Sequence, residues 1–297
     1  MQAIGARISA TETTVTGPID VRPGLRDRVA RVLIPALLVV LYAPTITWLL
    51  ERWTLSVWHH AHGLLIPPIV GYFCWLELRR YQHVPSTAST WGFVFFVPAL
   101  AMLAVDAGLH TQLLSAVSLV MVLPGLSLLF FGVTRTRAIA FPLAFLLFML
   151  PIPLYLTEGL HMALRRIAAV AVAAVLPWVG IPVYADGTTL HIANATLEVA
   201  DACSGFSTLY AACAIACLTA YSCSSAWKRV LVIAAAAPLA IAANLLRVLL
   251  LVLLVYWQGS DVLATELHTL SGILTFALAL PVIFWLGNEP RAERARA

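Results

Sequence analysis

Hydrophobic residues in this chain are gathered into long runs, and short polar or basic segments separate one run from the next. A helix needs about 20 mainly apolar residues to cross a hydrocarbon core about 30 Å thick. The runs that reach or approach this length are 30–50, 63–78, 91–106, 112–133, 138–157, 204–222, 230–257 and 269–287. This pattern predicts an all-α polytopic membrane protein with about eight transmembrane helices.

The chain between the fifth and sixth runs follows a different pattern. Residues 167–179 are apolar but short, and a crossing there would place Lys228-Arg229 on the opposite side of the membrane from the other basic clusters. We therefore predict an interfacial or re-entrant helix, with Arg165 and Arg166 extending toward the lipid headgroups. A complete crossing by residues 161–180 is the alternative.

A short extracytoplasmic hairpin is predicted after this helix. Residues 181–200 alternate between apolar and polar positions on either side of Asp186-Gly187, which is typical of two strands joined by a turn. We expect the hairpin to lie outside the membrane. It would then deliver the polar segment Asp201-Ala202-Cys203-Ser204-Gly205 to the outer surface.

The composition excludes a soluble globular domain. About 61% of the residues are hydrophobic, 11% are charged and the mean hydropathy is +0.92, whereas soluble domains contain about 25% charged residues. We expect a cytoplasmic, disordered tail over residues 1–29, one transmembrane domain over 30–287 and a basic cytoplasmic tail over 288–297. The net charge of +4 comes from clusters beside the apolar runs, so it does not indicate nucleic-acid binding.

The basic residues predict the orientation of the bundle, because Lys and Arg are retained on the cytoplasmic side. With a cytoplasmic N-terminus, the clusters that share that side are Arg22 to Arg31, Arg79-Arg80, Arg135 and Arg137, Lys228-Arg229, and Arg291 to Arg296. The exceptions are Arg52, Arg165, Arg166 and Arg247. This orientation predicts that both chain termini are cytoplasmic.

Cys203 differs from the other cysteines in its surroundings. The cysteines in apolar or small-residue segments, where this side chain is usually a buried hydrophobe, are Cys74, Cys213, Cys217 and Cys223. Cys203 instead follows Asp201 and precedes Ser204-Gly205 at the start of the sixth span. The N–H groups of a helix N-terminus favour a thiolate and bind an oxyanion. Cys203 is therefore the candidate nucleophile, and a packing cysteine beside an N-capping Ser204 is the alternative.

Arg247 lies deep in the seventh span. A helix rises about 1.5 Å per residue, so Arg247 lies about 27 Å beyond Arg229 and close to the outer face of the core. A guanidinium at this depth is costly and usually faces a polar cavity or a partner. Asn244 shares its helix face. We expect Arg247 to hold an oxyanion or a carboxylate, and a structural ion pair with Asp201 or Glu198 is the alternative.

His268 lies at the outer end of the eighth span, after a loop that contains Asp261. A neutral imidazole accepts or donates a proton near neutral pH, so His268 is a candidate general acid or base. A single interfacial histidine is more often a polar residue at a helix end. The predicted topology strengthens the catalytic interpretation, because it places His268 on the same side as Cys203 and Arg247.

Three sequence blocks resemble, in order and spacing, the signature blocks of the exosortase/archaeosortase family. They are Asp201-Ala202-Cys203-Ser204-Gly205, Asn244-Leu245-Leu246-Arg247 and His268-Thr269-Leu270-Ser271-Gly272. Earlier segments, His62-Gly63 with Pro67 and Phe141-Pro142 to Pro153, look like further landmarks of that family. The resemblance covers residues 30 to 287.

The resemblance implies a membrane-embedded cysteine peptidase or transpeptidase in a bacterial inner membrane, with its active site on the periplasmic face. By this analogy Cys203 forms a thioester, Arg247 steadies the oxyanion and His268 transfers protons, while Asp201, Ser204, Gly205 and Asn244 support them. The implied partners are exported proteins that end in a Pro-Glu-Pro-like motif, a transmembrane helix and a basic tail, and exopolysaccharide machinery. No cofactor or metal is expected.

Alternatives from other functional classes stay open at this point. The segment Trp58-His59-His60-Ala61-His62 suggests a metal-binding or redox membrane protein, although paired intramembrane histidines at helical spacing are missing. A transporter would use Arg247 to bind an anion or a polysaccharide, but the chain has no convincing internal repeat. A non-catalytic scaffold for polysaccharide assembly is the third alternative, and it would keep its activity in a Cys203→Ala variant.

Overall fold

The fold is taken from a computed structural model that describes residues 25–54, 61–85, 87–199, 204–259 and 266–288. At positions 25–31, 61, 154, 266–269 and 273 only the backbone is described. The helices are α1 Leu25–Leu41, α2 Ala43–Thr54, α3 Ile66–Arg80, α4 Phe93–Leu109, α5 Leu113–Ala138, α6 Ala140–Phe145, α7 Leu154–Val175, α8 Phe206–Ser222, α9 Ala226–Gln258 and α10 Glu266–Gly287. Short 3-10 helices lie at Ala61–Leu65, Thr90–Gly92, Leu146–Met149 and Leu176–Val179.

The described residues confirm an all-α polytopic membrane protein. Among them, five helices are long and apolar enough to cross a membrane, or six when α1 and α2 are taken as one broken span. Shorter apolar helices lie at Ala140–Met149 and Phe206–Ser222. The predicted number of eight spans is therefore not confirmed.

The chain divides into two compact units, Met1–Ala43 and Pro44–Ala297. In the first unit the described element is α1, which accommodates Pro35 inside the helix. Everything that follows concerns the second unit. The tails predicted at 1–29 and 288–297 lie almost wholly outside the described residues.

The fifth predicted span, 138–157, is wrong as a continuous helix. The helical path ends at Met149, Leu150 is extended (φ −74°, ψ 128°), and α7 begins only after Pro153. Pro151 and Pro153 explain the interruption, because proline lacks an N–H and forces the residue before it out of the helical region. The apolar run is therefore divided between the segment that ends with the 3-10 helix Leu146–Met149 and the first turn of α7.

Gly132 breaks α5 and reverses the chain. Its backbone is left-handed (φ 75°, ψ 178°), and a Cβ at this position would overlap the carbonyl oxygen of Thr87. The Oγ of Ser127 and the Oγ1 of Thr136 lie 2.7 Å apart across the break, whereas an unbroken helix would separate these residues by about 13 Å. The fourth predicted span, 112–133, therefore ends where the sequence indicated.

Basic residues gather at one end of the second unit. Arg135 donates from Nε to the carbonyl of Val84 at 3.0 Å, which joins the end of α5 to the loop that follows Arg79-Arg80. The Tyr221 hydroxyl donates to Glu77 Oε1 at 3.4 Å, which brings the end of α8 to the end of α3. These contacts place three of the predicted cytoplasmic clusters at the same end, since Lys228-Arg229 follows α8 directly. Of the other two clusters, the one at Arg22 to Arg31 belongs to the first unit, and the one at Arg291 to Arg296 lies outside the described residues.

The opposite end is built from α7, the last turns of α9 and a small sheet. Buried residues of α7 pack against the sheet and against Val248 to Val255 of α9. The α7 residues in this core are Ala168, Ala169, Val172 and Leu176. The helix predicted at 167–179 is thus the second half of a much longer helix, which has the length and composition of a membrane span.

The sheet is antiparallel, with strand order β1-β2-β3, and has one strand more than the sequence predicted. The strands are β1 Val183–Asp186, β2 Thr189–Ile192 and β3 Ala195–Glu198. The predicted turn at Asp186-Gly187 is confirmed, and a second turn contains Asn194, whose side chain donates to the carbonyl of Tyr256 at 3.0 Å. Open sheet edges do not occur in lipid, so we expect the sheet to lie outside the hydrocarbon core.

Arg165 does not extend to the headgroups as predicted. Its side chain is 13% exposed, and its Nη1 lies 3.9 Å from Glu198 Oε1 and 3.5 Å from the carbonyl oxygen of Val199. Arg166, by contrast, is exposed. Helical geometry turns neighbouring residues to different faces, so two consecutive arginines have different surroundings.

Candidate functional site

Arg247 lies on the inward face of α9, which runs without a break from Ala226 to Gln258. The residue is only 7% exposed. Its Nε donates to the Oγ of Ser271 on α10 at 3.4 Å, and its Cζ would lie 3.1 Å from a Cβ added at Gly272. Glycine at this position therefore lets α10 pack directly against the guanidinium. Arg229 and Arg247 therefore lie on a single long helix, as the predicted depth of Arg247 requires. The depth itself stays a prediction.

Asn244, one turn before Arg247, holds the segment that follows Cys203. Its Nδ2 donates to the carbonyl oxygen of Ser204 at 3.2 Å. Gly205 is left-handed (φ 78°), and a Cβ there would overlap the Asn244 side chain. The sequence block Ser204-Gly205 therefore has two structural requirements: a positive φ and close contact with α9. The segment ends where α8 begins, at Phe206.

These contacts bring together residues from three distant sequence blocks. We refer to Ser204, Asn244, Arg247 and Ser271 as the site cluster. The cluster lies at the end of the second unit opposite to the basic end, because α8 and α10 both run from it toward Cys223 and Gly287, whose Sγ and carbonyl oxygen lie 3.4 Å apart. The block that ends at Arg247 and the block that begins at His268 were predicted to meet, and their described residues Arg247, Ser271 and Gly272 are in contact.

His161 joins this cluster and was not predicted from the sequence. Its Nδ1 lies 3.0 Å from the Oγ of Ser204, and its ring packs on Phe206 with the ring centroids 4.6 Å apart. Ser204 is 2% exposed, and its Oγ also accepts from the backbone N–H of Phe206 at 3.3 Å. The local sequence around His161 has no motif that distinguishes it from an ordinary histidine on an apolar helix, so the sequence offered no signal for this contact.

The described residues cover the predicted site in part. Asp201 and Cys203 lie outside them, and Cys203 is covalently adjacent to Ser204. His268 is in the first turn of α10, where the backbone alone is described. Ser271 and Gly272, which contact Arg247, follow His268 by three and four residues, and residues at this spacing share a helix face. The roles of Cys203 and His268 stay predictions.

The other cysteines have the packing positions that were expected of them. Cys223 is buried, and its Sγ lies 3.3 Å from the carbonyl of Thr219. The other three cysteines are partly buried in the helix interfaces: Cys74, Cys213 and Cys217. Apolar surroundings disfavour the thiolate. We therefore do not place a nucleophile at these positions.

The histidine-rich segment that suggested a metal site is described only at His62. Its ring packs on Tyr210, with the centroids 5.2 Å apart, while His59 and His60 lie outside the described residues. Within the part of the chain that the structure describes, no group of three or more His, Cys, Asp or Glu side chains could hold a metal ion.

Comparison with known proteins identifies the family. The family model described as transmembrane exosortase matches residues 53–285 of this chain. The chain belongs to the exosortase family. The matched range of this exosortase includes the site cluster, His161, Cys203 and His268. No curated protein and no solved structure matched significantly.

One alternative for Arg247 in this exosortase was a structural ion pair with Asp201 or Glu198. In the structure the contact to Glu198 is made by Arg165. Asp201 lies outside the described residues. The buried guanidinium of Arg247 contacts Ser271 and Gly272, one helical turn beyond His268.

Proposed function

We propose that this exosortase is a membrane-embedded cysteine peptidase or transpeptidase. Its substrates would be exported proteins that carry a C-terminal sorting signal, and cleavage would take place at the outer face of the membrane. The observation that carries this proposal is the position of Arg247. This buried cation contacts the helix face that continues from His268, and it lies one helical turn from Asn244, which holds the residue after Cys203.

The proposed reaction starts with attack of the Cys203 thiolate on the scissile carbonyl carbon. A bond forms between Sγ and that carbon, and the carbonyl electrons move onto the oxygen. Arg247 stabilises this negative charge, which is the role of preorganised donors in acyl transfer. The N-terminus of α8, two residues beyond Ser204, favours the thiolate through the positive end of its helix dipole.

Collapse of this intermediate breaks the carbon–nitrogen bond and leaves a thioester on Cys203. His268 carries the proton taken from the Cys203 thiol and donates it to the departing amine. It then accepts a proton from the incoming nucleophile, whose attack breaks the carbon–sulfur bond and releases the Cys203 thiolate. The nucleophile is water in a hydrolytic reaction, or an acceptor such as a glycan or lipid in a transfer reaction. Asn244 and Gly205 support the reaction by fixing the backbone of Ser204 beside Cys203.

The distribution of charge supports a substrate with one transmembrane helix. Such a substrate, ending in a Pro-Glu-Pro-like motif, a helix and a basic tail, would lie along the bundle with its tail at the basic end. Its cleavage motif would then reach the site cluster at the opposite end. We propose that the basic end is cytoplasmic and the site cluster periplasmic in a bacterial inner membrane, in accord with the retention of Lys and Arg on the cytoplasmic side.

The proposal is tested by co-expression with a candidate substrate that has this three-part tail. We expect processing to disappear in Cys203→Ala, Arg247→Ala and His268→Ala, while membrane insertion is unchanged. Cys217→Ser is the matched control, because it removes a thiol from α8 without touching the site cluster. Full processing by Cys203→Ala, or its loss in Cys217→Ser, would overturn the assignment of the nucleophile.

A further inference from the structure

Helix α7 contacts the chain on both sides of the segment that contains Cys203. His161 Nδ1 lies 3.0 Å from the Oγ of Ser204, directly after Cys203. Arg165 Nη1 lies 3.5 Å from the carbonyl oxygen of Val199, at the end of the sheet. The two α7 residues are four apart and therefore lie on the same helix face, one turn from each other. One face of α7 thus contacts Val199 and Ser204, the residues on either side of positions 200–203.

The contact with His161 restricts the position of the chain at Ser204. Ser204 is 2% exposed, and its hydroxyl oxygen already accepts the backbone N–H of Phe206. The ring of His161 packs on the ring of Phe206, so α7 holds Ser204 and the first residue of α8 together. Asn244 holds the Ser204 carbonyl from α9. The residue after Cys203 is thus fixed from two different helices.

The contact with Arg165 fixes the other end of the segment. The Arg165 side chain is 13% exposed and lies between the Val199 carbonyl and the Glu198 carboxylate. Glu198 itself is largely exposed, with 69% of its side chain accessible. An exposed ion pair contributes little stability. The buried guanidinium is therefore better explained by the backbone that it contacts than by its ion pair.

We propose that His161 and Arg165 form a clamp on α7 that positions Cys203 for its reaction. They are positioning residues, and no part of the inference requires them to touch the substrate. Consecutive Cα atoms are about 3.8 Å apart, so a Ser204 that is held in place restricts where the Cys203 thiol lies relative to Arg247. The proposal rests on the proposed function, since it assigns the clamp to the nucleophile of that reaction.

Two substitutions of His161 separate the hydrogen bond from the ring packing. His161→Phe keeps an aromatic ring on Phe206 and removes the contact with Ser204, whereas His161→Asn places an amide near the position of Nδ1 and removes most of the ring. We expect His161→Phe to lower kcat for processing about tenfold, the size of effect given by one buried hydrogen bond, with KM nearly unchanged. His161→Asn should recover most of the rate. The exposed His83→Phe is the control and should process like wild type.

A double variant tests whether His161 acts through Ser204. If it does, His161→Phe should have little further effect in a Ser204→Ala background, because the contact is already lost. Multiplying losses in the double variant would overturn the clamp. For the other end, Arg165→Gln should lower kcat more than Glu198→Gln, and the exposed Arg166→Gln should have no effect. Equal losses in Arg165→Gln and Glu198→Gln would show that only the ion pair matters.

Alkylation of Cys203 separates the clamp from the proposed function. Full-length protein in membranes is treated with iodoacetamide, and modification of the Cys203 peptide is followed by mass spectrometry. We expect the alkylation rate to change severalfold in His161→Phe and to return toward wild type in His161→Asn. An unchanged rate in His161→Phe would overturn the clamp even if processing falls. If Cys203→Ala still processes substrate while His161→Phe alters alkylation, the proposed function fails, and only the positioning of the Cys203 thiol by His161 is supported.

Discussion

Two buried polar clusters in the second unit differ in how far apart their residues lie in the sequence. The hairpin cluster lies where α4 and α5 form a helical hairpin, and it joins Asp106 near the end of α4 to Thr111 in the connecting loop and Ser115 in the first turn of α5. The site cluster and His161 instead come from four helix-forming segments between residues 161 and 271. The first is built by neighbours in the chain, whereas the second exists only after the bundle has formed.

The carboxylate of the hairpin cluster is fully satisfied by these neighbours. Asp106 Oδ1 accepts the Thr111 N–H and hydroxyl, and Oδ2 accepts the Ser115 N–H and hydroxyl, at 2.5 to 3.1 Å. Asp106 is 2% exposed. This arrangement ends α4 and begins α5, because it supplies acceptors to N–H groups that a helix start leaves unpaired. The comparison teaches that burial of a charge alone does not indicate a site.

The site cluster places its charge differently. Arg247 donates to the Ser271 hydroxyl and packs against Gly272 of α10, three and four residues after the predicted acid His268. Asn244, on the same helix face, holds Ser204, the residue after the predicted nucleophile. We therefore expect substitutions in the site cluster to change the reaction rate and substitutions in the hairpin cluster to change stability.

The largest effect is expected at Arg247. Arg247→Gln should lower the rate of substrate processing about 10²–10³-fold, the loss typical of removing one donor to an oxyanion. The amount of inserted protein should stay the same, as measured by immunoblot of membranes beside the rate assay. Arg166→Gln is the control on an exposed arginine. A rate within threefold of wild type for Arg247→Gln would remove this residue from the proposed mechanism.

Gly205→Ala should have the next largest effect. Alanine at φ 78° costs about 1–2 kcal/mol, and its Cβ would also overlap Asn244. Gly187→Ala measures the backbone cost alone, since Gly187 is also left-handed (φ 61°) but has open space around it. We expect processing to fall at least tenfold in Gly205→Ala and to be normal in Gly187→Ala. Equal processing by the two variants would show that contact with Asn244 is unimportant.

Asp106→Ala should reduce stability and leave the reaction unchanged. Loss of hydrogen bonds to a buried charged group predicts a decrease of about 2–3 kcal/mol in the free energy of unfolding. Thermal melting of the detergent-solubilised protein measures this, and Asp106→Asn should be intermediate because it keeps one acceptor oxygen and replaces the other with an NH2 group that cannot accept. Loss of processing with an unchanged melting temperature would mean that the hairpin cluster belongs to the site.

Ser118→Ala should give the smallest effect. The Ser118 hydroxyl donates to the carbonyl of Ala99 at 2.5 Å in the interface between α4 and α5, and the residue is fully buried. Its removal should cost about 1 kcal/mol of stability and have no effect on the processing rate. A rate change would extend the influence of this hairpin beyond stability.

The predicted and observed helices agree where the apolar pattern was continuous. Runs that end at charged residues, such as 230–257 in α9, were placed within a few residues. The errors lie at Pro151 and Pro153, which divided one run, and at residues 154–166, whose polar positions concealed the first half of α7. The second turn of the sheet at Asn194 was also missed, because a two-residue turn has a weak signal in so short a segment.

The sequence by itself determined that this chain is a membrane protein, which end of its helices is basic, and which residues carry the family's blocks. These properties depend on residue type and on distances along one helix, which a fixed rise per residue converts into depth. Only the tertiary structure decided that His161 contacts Ser204 and that Arg165 faces the sheet. Those contacts depend on how separate helices pack against each other. Hydrophobic periodicity shows which face of a helix is buried, but it does not show which other helix packs against that face.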